Sequence, residues 1–439
     1  MLNVLGRSFS CLALLLLGAH ALRLGFPGTS GACLGLCVMA WLDRSWMRWV
    51  ILAVLAVGGA IWGNVLAELI RFRLDSGLPW ARLALVMGGV VLLNVTAFGL
   101  VLRRFVHEGH DRKPPYVWGR AVVFLLTAGL LFISEVKTDF PLLLVERYLP
   151  GWGGLEIFGL ALYAQWVFVA MQDPAQSRTV RPRIWGLFST VFFLQLLLGL
   201  MGLDRMLMTG TLHLPVPALI VGGPVFRGDG LFMPILFLVT VALVGPAWCS
   251  HLCYIGAWDD VCSRLGAKRP AAGVPGKAVY WGRAVTLILT VLVALTMRLF
   301  GVPGGMAIWA AVGFGLLGVA VMVLLSRRSG SMVHCSAYCP MGLVANLLGR
   351  LTPWRMRLGG ECIHCGVCAL SCRYGALSDA DIKAGRPGLS CTLCGDCVGI
   401  CPQKTMRYHF FTLSQDASRV FFLLLVCILH AVFLGVARI

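Results

Sequence analysis

The chain has 439 residues, of which 59% are hydrophobic and only 13% are charged. This balance, with a mean hydropathy of +0.84, excludes an ordinary soluble protein and predicts a polytopic membrane protein. The formal net charge of +18 does not indicate nucleic-acid binding, because the basic residues cluster in short segments between apolar runs, where they orient a protein in a bilayer.

Runs of about 20 apolar residues, each long enough to cross about 30 Å of hydrocarbon, recur along most of the chain. Ten are predicted to span the membrane, near residues 8–26, 46–70, 83–102, 117–136, 151–171, 184–203, 231–248, 281–300, 305–325 and 417–437. The apolar stretches 31–42 and 213–225 are shorter, and either could be re-entrant. The first run lacks a small-residue cleavage site, so we predict a retained helix.

Four blocks are predicted along the chain. Residues 1–175 form a transmembrane bundle of about five spans, and 176–350 form a transmembrane core. Residues 351–412 are a small soluble segment, and 413–439 are a C-terminal span. Loops on the side of the soluble segment hold more Lys and Arg, among them Arg181 and Arg283, so that side is predicted to be the cytoplasmic face of a bacterial-type inner membrane.

Two similar cysteine pairs follow apolar runs in the core block. Cys249 and Cys253 lie in the sequence Cys-Ser-His-Leu-Cys-Tyr-Ile-Gly, and Cys335 and Cys339 lie in Cys-Ser-Ala-Tyr-Cys-Pro-Met-Gly. Residues four apart share one face of an α-helix, so each pair could face a metal or a redox partner. The alternative is that these small residues only pack at the membrane surface.

Several single residues near these pairs are weaker candidates. His213, in an apolar stretch rich in proline, is a possible quinone site. His251 and His334 flank the pairs and could ligate a metal, tune the thiolates or simply bond to the backbone. Asp259 and Asp260 are predicted to begin a helix or to solvate it.

Eight cysteines of the soluble segment form two near-identical runs with the spacing Cys-x2-Cys-x2-Cys-x3-Cys. In this pattern three thiolates of a run bind one [4Fe–4S] cluster and the fourth binds the other cluster. One cluster is therefore predicted on Cys362, Cys365, Cys368 and Cys401, and a second on Cys391, Cys394, Cys397 and Cys372. Zinc or disulfides would not require two copies with exchanged fourth ligands.

The order of these elements resembles that of the NapH/NosR-type membrane polyferredoxins, which carry Cys-x3-Cys-Pro motifs before a two-cluster ferredoxin segment. The likeness covers roughly residues 176–412. Cys335, Cys339 and Pro340 match the family motif fully, whereas Tyr254 follows Cys253 where proline is usual. The resemblance implies electron transfer between the quinone pool or a cytoplasmic donor and a partner oxidoreductase.

We therefore predict an α-helical polytopic membrane protein with about ten transmembrane helices and a small cytoplasmic ferredoxin-like segment. It would carry electrons as a subunit or accessory of an oxidoreductase complex, with two [4Fe–4S] clusters and a third metal or Fe–S site as a further option at the Cys-x3-Cys pairs. The expected partners are the membrane, quinone and oxidoreductase subunits, without nucleic acid. The alternative is a redox-dependent maturation factor that uses its cysteine pairs to assemble a metalloenzyme.

Overall fold

A computed structural model describes residues 2–42, 44–107, 117–207, 214–266 and 276–436. The chain divides into two compact units, Met1–Trp166 and Val167–Ile439. The first unit contains α1 (Leu2–Arg23), α2 (Pro27–Trp41), α3 (Met47–Asp75), α4 (Ala81–His107), α5 (Val117–Lys137), α6 (Leu144–Tyr148) and most of α7 (Gly153–Ala170). The four-block division stays a prediction.

The second unit contains the remaining helices and one two-stranded sheet. Its helices are α8 (Pro174–Leu200), α9 (Leu219–Arg227), α10 (Phe232–Val244), α11 (Tyr254–Leu265), α12 (Gly276–Leu299), α13 (Gly304–Val321), α14 (Arg327–Ser329), α15 (Pro340–Gly349), α16 (Val367–Ser371), α17 (Asp379–Lys383), α18 (Asp396–Ile400) and α19 (Gln415–Val436). Strands β1 (Trp354–Leu358) and β2 (Met406–Phe410) pair in antiparallel register.

Ten helical segments of the described chain are long and apolar enough to cross a membrane. They are Val4–Arg23, Met47–Asp75, Ala81–Arg103, Val117–Lys137, Gly153–Ala170, Pro174–Leu200, Phe232–Leu252, Tyr280–Leu299, Gly304–Ser329 and Gln415–Val436. The predicted polytopic helical fold is therefore confirmed. The two short apolar stretches form the 15-residue helix α2 and, in part, the 9-residue helix α9, both too short to span a bilayer.

Small residues bring the helices of the first unit close together. A Cβ atom at Gly58 or Gly59 of α3 would lie 3.1 or 3.2 Å from the side-chain amide of Asn94 in α4. Such small residues are typical of interfaces between membrane helices, because close packing rather than the hydrophobic effect holds helices together in lipid. Cys11 and Cys37 each direct their thiol at the other's backbone carbonyl oxygen, at 3.7 and 3.6 Å, so they contribute to packing between α1 and α2.

The segment 351–412 packs against long apolar helices of its own unit. Trp354 of β1 is 2% exposed and donates a hydrogen bond from Nε1 to the carbonyl oxygen of Leu243, over 2.7 Å. Tyr408 of β2 stacks on Phe422 of α19, with ring centroids 4.6 Å apart. A segment of this size buries too little apolar surface to be stable alone, and these contacts supply part of the missing core.

Candidate metal centres

The two cysteine runs adopt the same backbone turns. His364 and Leu393, which precede the second cysteine of each run, both have a positive φ, of 51° and 55°. Gly366 and Gly395, which follow that cysteine, have φ of 73° and 81° and precede the five-residue helices α16 and α18. Left-handed residues turn successive amides toward one side, as loops that hold an anionic cluster require.

Cys362, Cys365, Cys368 and Cys401 line one pocket, which we call the outer pocket. It encloses about 370 Å³, part of it open to solvent, and is completed mainly by apolar side chains and by Thr405. Cys365 is exposed and the other three cysteines are half-buried. The fourth cysteine of the second run is thus placed beside the first three of the first run.

Cys391, Cys394, Cys397 and Cys372 line a second pocket of about 350 Å³, which we call the inner pocket. Cys397 is buried and the other three cysteines are half-buried. Tyr374 and Asp396, which also line it, are buried at 4% and 8% exposure. Here three cysteines of the second run lie beside the fourth cysteine of the first run, so the two runs exchange their fourth cysteines.

The chemistry of both pockets fits a polyatomic cluster. All seventeen cysteines carry free thiols, so no disulfide competes for them. Among the described residues, no three His, Cys, Asp or Glu side chains are close enough to hold a single metal ion. Four cysteines line each pocket, and thiolates are the ligands that iron–sulfur clusters use in proteins.

The thiols differ in how readily they ionise. Burial raises the pKa of Cys372, Cys391 and Cys394 to about 12 each. At Cys401, hydrogen bonds from the Thr405 hydroxyl and nearby backbone amides outweigh burial and lower the pKa. Because metal binding requires thiolates, the inner pocket must release more tightly held protons when it is filled.

The Cys-x3-Cys pairs do not lie on a continuous α-helix, so the prediction that each pair shares one face of an α-helix is wrong. Each pair begins in a five-residue π-helix, Trp248–Leu252 or His334–Tyr338. In a π-helix each backbone hydrogen bond joins residues five apart, instead of four apart as in an α-helix. Cys253 and Cys339 then adopt extended conformations and precede α11 and α15, respectively. The second cysteine of each pair is therefore the N-cap residue of the next helix.

This position favours the thiolate form of the second cysteine. Burial raises the pKa of Cys253 to about 12, but backbone amides at the start of α11 oppose that rise. At Cys339 burial also raises the pKa, and the first amides of α15 and the Arg283 guanidinium oppose it. Free amides at a helix N-terminus stabilise negative charge, as does a neighbouring cation.

The structure brings the two pairs together. Burial raises the pKa of Cys335 well above its usual value, and the charges of Cys339, Cys253 and Cys249 all add to the rise. Each of these thiols therefore lies within electrostatic reach of Cys335. Asp259 of α11 also contacts the second pair, because its carboxylate accepts a hydrogen bond from the Cys335 amide over 2.9 Å.

A small core cluster separates the cysteine pairs from the inner pocket. Trp185, Ala257, Met332 and Tyr374 are its buried members, at 0 to 4% exposure. Cys335 packs against this cluster together with Cys372 and Cys394, which line the inner pocket. The two groups of cysteines thus share one layer of packed side chains.

Four charged residues near these sites were assigned wrong surroundings from the sequence. Arg181 and Arg283, predicted in loops, lie within α8 and α12 and are each 1% exposed. Asp259 and Asp260, predicted to start or solvate a helix, are 0% and 2% exposed inside α11. A charge flanked by apolar residues was the available signal, because a charge in such a position normally requires a partner.

The histidines have different surroundings. His213 lies outside the described residues. His251 is buried, with Nδ1 3.0 Å from the Ser250 hydroxyl, and His430 Nδ1 lies 3.3 Å from the His251 carbonyl oxygen. His334 is 5% exposed and lines a separate pocket of about 330 Å³ beside Cys339.

Comparisons with known proteins agree with this chemistry. The Fer4_5 family model, described as a 4Fe-4S binding domain, matches residues 226–271 and 310–359, which contain the two Cys-x3-Cys pairs. The chain is also 24% identical over 272 residues to "Putative electron transport protein YccM" of Escherichia coli strain K12, covering 58% of this chain and 71% of that protein. No solved structure matches the chain. Together the two matches support an iron–sulfur electron-transfer family for this multi-pass membrane protein.

Proposed function

We propose that this protein transfers electrons in a membrane through two [4Fe–4S] clusters, one in the outer pocket and one in the inner pocket. Such clusters supply one-electron chemistry themselves, so the protein has only to bind, insulate and position them. The lining of the pockets is the observation that carries this proposal, since each combines three cysteines of one run with the fourth of the other.

A third centre is proposed on Cys249, Cys253, Cys335 and Cys339. Three observations support it: the other three thiols act electrostatically on Cys335, the second cysteine of each pair precedes a helix, and the buried guanidinium of Arg283 acts on Cys339. The match of both segments to a 4Fe-4S binding domain favours an iron–sulfur occupant. The three centres would then follow one another from the membrane helices to the exposed Cys365.

By likeness to the NapH/NosR-type proteins, the outer pocket would exchange electrons with a cytoplasmic partner and the membrane end with quinone. The pocket beside His334 is the best candidate for the quinone. Apolar residues of α13 and of the segment before α9 line it, among them Val216, Phe314 and Gly315. A buried imidazole among apolar side chains suits a lipophilic ring that accepts a hydrogen bond.

Binding of a short-chain benzoquinone to the purified protein tests this pocket. A Cβ at Gly315 would lie 3.1 Å from the Val216 side chain, so Gly315→Leu should fill the space and abolish binding. Gly313→Leu is the matched control, because a Cβ there meets nothing within 4 Å. Equal binding by both variants would remove the quinone pocket from the proposal.

The cluster assignment is tested by iron and sulfide analysis of anaerobically purified protein, with EPR spectra after reduction. Two clusters require about eight irons per chain and a third adds up to four. Cys365→Ser should alter only the outer centre, Cys394→Ser only the inner one, and Cys262→Ser neither, since Cys262 lines neither pocket. Fewer than eight irons in the unmodified protein would contradict the proposal.

A further inference from the structure

The inner pocket is bordered by a buried ion pair. Asp396 lies between the second and third cysteines of the run that lines this pocket, at the start of α18. Arg181 of α8 is 1% exposed and donates from Nε and Nη2 to the two carboxylate oxygens of Asp396, over 3.3 and 2.9 Å. Two parallel bonds of this kind fix the orientation of both groups.

The same guanidinium has further contacts within the helix bundle. Its Nη1 donates to the carbonyl oxygen of Ser250 over 3.2 Å, and Nη2 lies 3.7 Å from Asp260 Oδ1. Its Cζ lies over the ring of Trp185, 5.3 Å from the ring centroid. The Ser250 hydroxyl in turn donates to the carbonyl oxygen of Thr392, beside Cys391, over 2.9 Å. Arg181 therefore joins α8 and α11 to the loop that carries the inner cysteines.

Two more arginines complete the charges around this site. Arg264 bonds to Asp260 at 2.6 and 3.0 Å and lies 3.8 Å from Asp396. Arg373, next to Cys372, donates to the carbonyl oxygens of Ser263 and Gly330 over 2.9 and 2.8 Å. The outer pocket differs, because none of the described residues that line it is Asp, Glu, Lys or Arg.

Fixed charges at such a distance act on any redox group in the pocket. Reduction adds one negative charge to a cluster, so a nearby cation favours the reduced form and a nearby carboxylate disfavours it. These effects are larger in a buried site than at a solvated surface, because less water screens them.

We propose that Arg181 and Asp396 are positioning residues that set the reduction potential of the inner cluster in opposite directions, Arg181 upward and Asp396 downward. This inference rests on the proposed function, since it requires a cluster in the inner pocket. The asymmetry between the pockets would give the two clusters different potentials and so a preferred direction for the electron.

The test is an EPR-monitored titration of the full-length protein with dithionite at fixed pH. The two signals are assigned with Cys365→Ser, which lies in the outer pocket. We expect Arg181→Gln to lower the midpoint potential of the inner cluster, Asp396→Asn to raise it, and the outer cluster to stay unchanged in both. A merely structural role would not reverse sign between two partners of one ion pair, so shifts in the same direction, or none, overturn the inference.

Further variants keep the test decisive. Arg181→Lys keeps the charge and loses the two-pronged geometry, so its shift should be smaller than that of Arg181→Gln. Should Arg181→Gln lose the inner cluster, Asp260→Asn must still raise the potential, and a downward shift or none would overturn the inference. Arg407→Gln on β2 is the matched control and should leave the potentials unchanged, since Arg407 is exposed and solvent and salt screen its charge. If both clusters are present and none of these variants shifts their midpoint potentials, this inference alone is refuted. If the clusters are absent, the proposed function is refuted.

Discussion

Asn346 donates a hydrogen bond from its side-chain Nδ2 to the backbone carbonyl oxygen of Cys391, over 3.1 Å. Its Oδ1 accepts a hydrogen bond from Nη1 of Arg283, over 2.7 Å. One buried amide, 4% exposed, thus joins a guanidinium near the Cys-x3-Cys thiols to the loop that lines the inner pocket. The two groups of cysteines are therefore connected by hydrogen bonds as well as by apolar packing.

Replacing this amide should destabilise the second unit. Asn346→Leu has a similar volume but leaves the Cys391 carbonyl oxygen without this donor and removes one acceptor from Arg283. A buried polar group that loses its partner costs about 1–3 kcal/mol. We expect a lower unfolding temperature in detergent and faster loss of iron from the inner pocket. An unchanged unfolding temperature would mean that this bond contributes little.

The pKa values of the inner thiols predict how stability depends on pH. In the metal-free protein Cys372, Cys391 and Cys394 have a pKa of about 12, above the ordinary value of 9.0. Because their folded pKa is raised, their contribution to stability is complete below about pH 9 and is lost as the pH rises from about 9 towards 12.

Thermal unfolding in detergent at about pH 8 and about pH 10 checks this sign. The metal-free protein should lose stability between these two values, whereas iron-bound thiolates have no proton to release and should show a smaller change. Equal losses in the two forms would contradict the assignment of these cysteines as ligands.

The hydrophobic pattern predicted the ten candidate spans of the described residues, because about 20 apolar residues in sequence can satisfy their backbone hydrogen bonds only as a helix in lipid. The spacing of the eight ferredoxin cysteines predicts two groups of ligands, and each group lines one of the two pockets, but cluster binding by these residues stays a prediction. The partner of Arg181 was not predictable, since Asp396 lies 215 residues further along the chain and no local pattern joins them. The π-helices at Cys249 and Cys335 were missed for a related reason, as four-residue spacing alone implies an α-helix.

The two clusters should differ in their resistance to chelators. Cys365 of the outer pocket is exposed, whereas Cys397 of the inner pocket is buried at 8% exposure. Loss of iron requires access of solvent and chelator to the thiolates, so the outer EPR signal should disappear first. Simultaneous loss would indicate that both pockets open together by unfolding of the whole segment.

The packing of α18 on α8 predicts a sharp effect of one methyl group. A Cβ atom at Gly399 would lie 2.3 Å from the carbonyl oxygen of Pro174, and backbone atoms cannot move aside as a flexible side chain can. Gly399→Ala should therefore displace α18, together with Asp396 and Cys397, from α8 at a cost of about 1–3 kcal/mol. The inner cluster should lose iron or shift its potential, because α18 carries its third cysteine.

Gly360→Ala is the control for this change, since a Cβ there meets nothing within 4 Å. Iron content and the midpoint potentials of both clusters should remain those of the unmodified protein in Gly360→Ala. Gly399→Ala should change the inner cluster more than the outer one, because α18 contains Cys397, whereas of the outer cysteines only Cys401 adjoins this helix. A Gly399→Ala protein with both clusters intact and unshifted would show that α18 does not depend on close contact with α8.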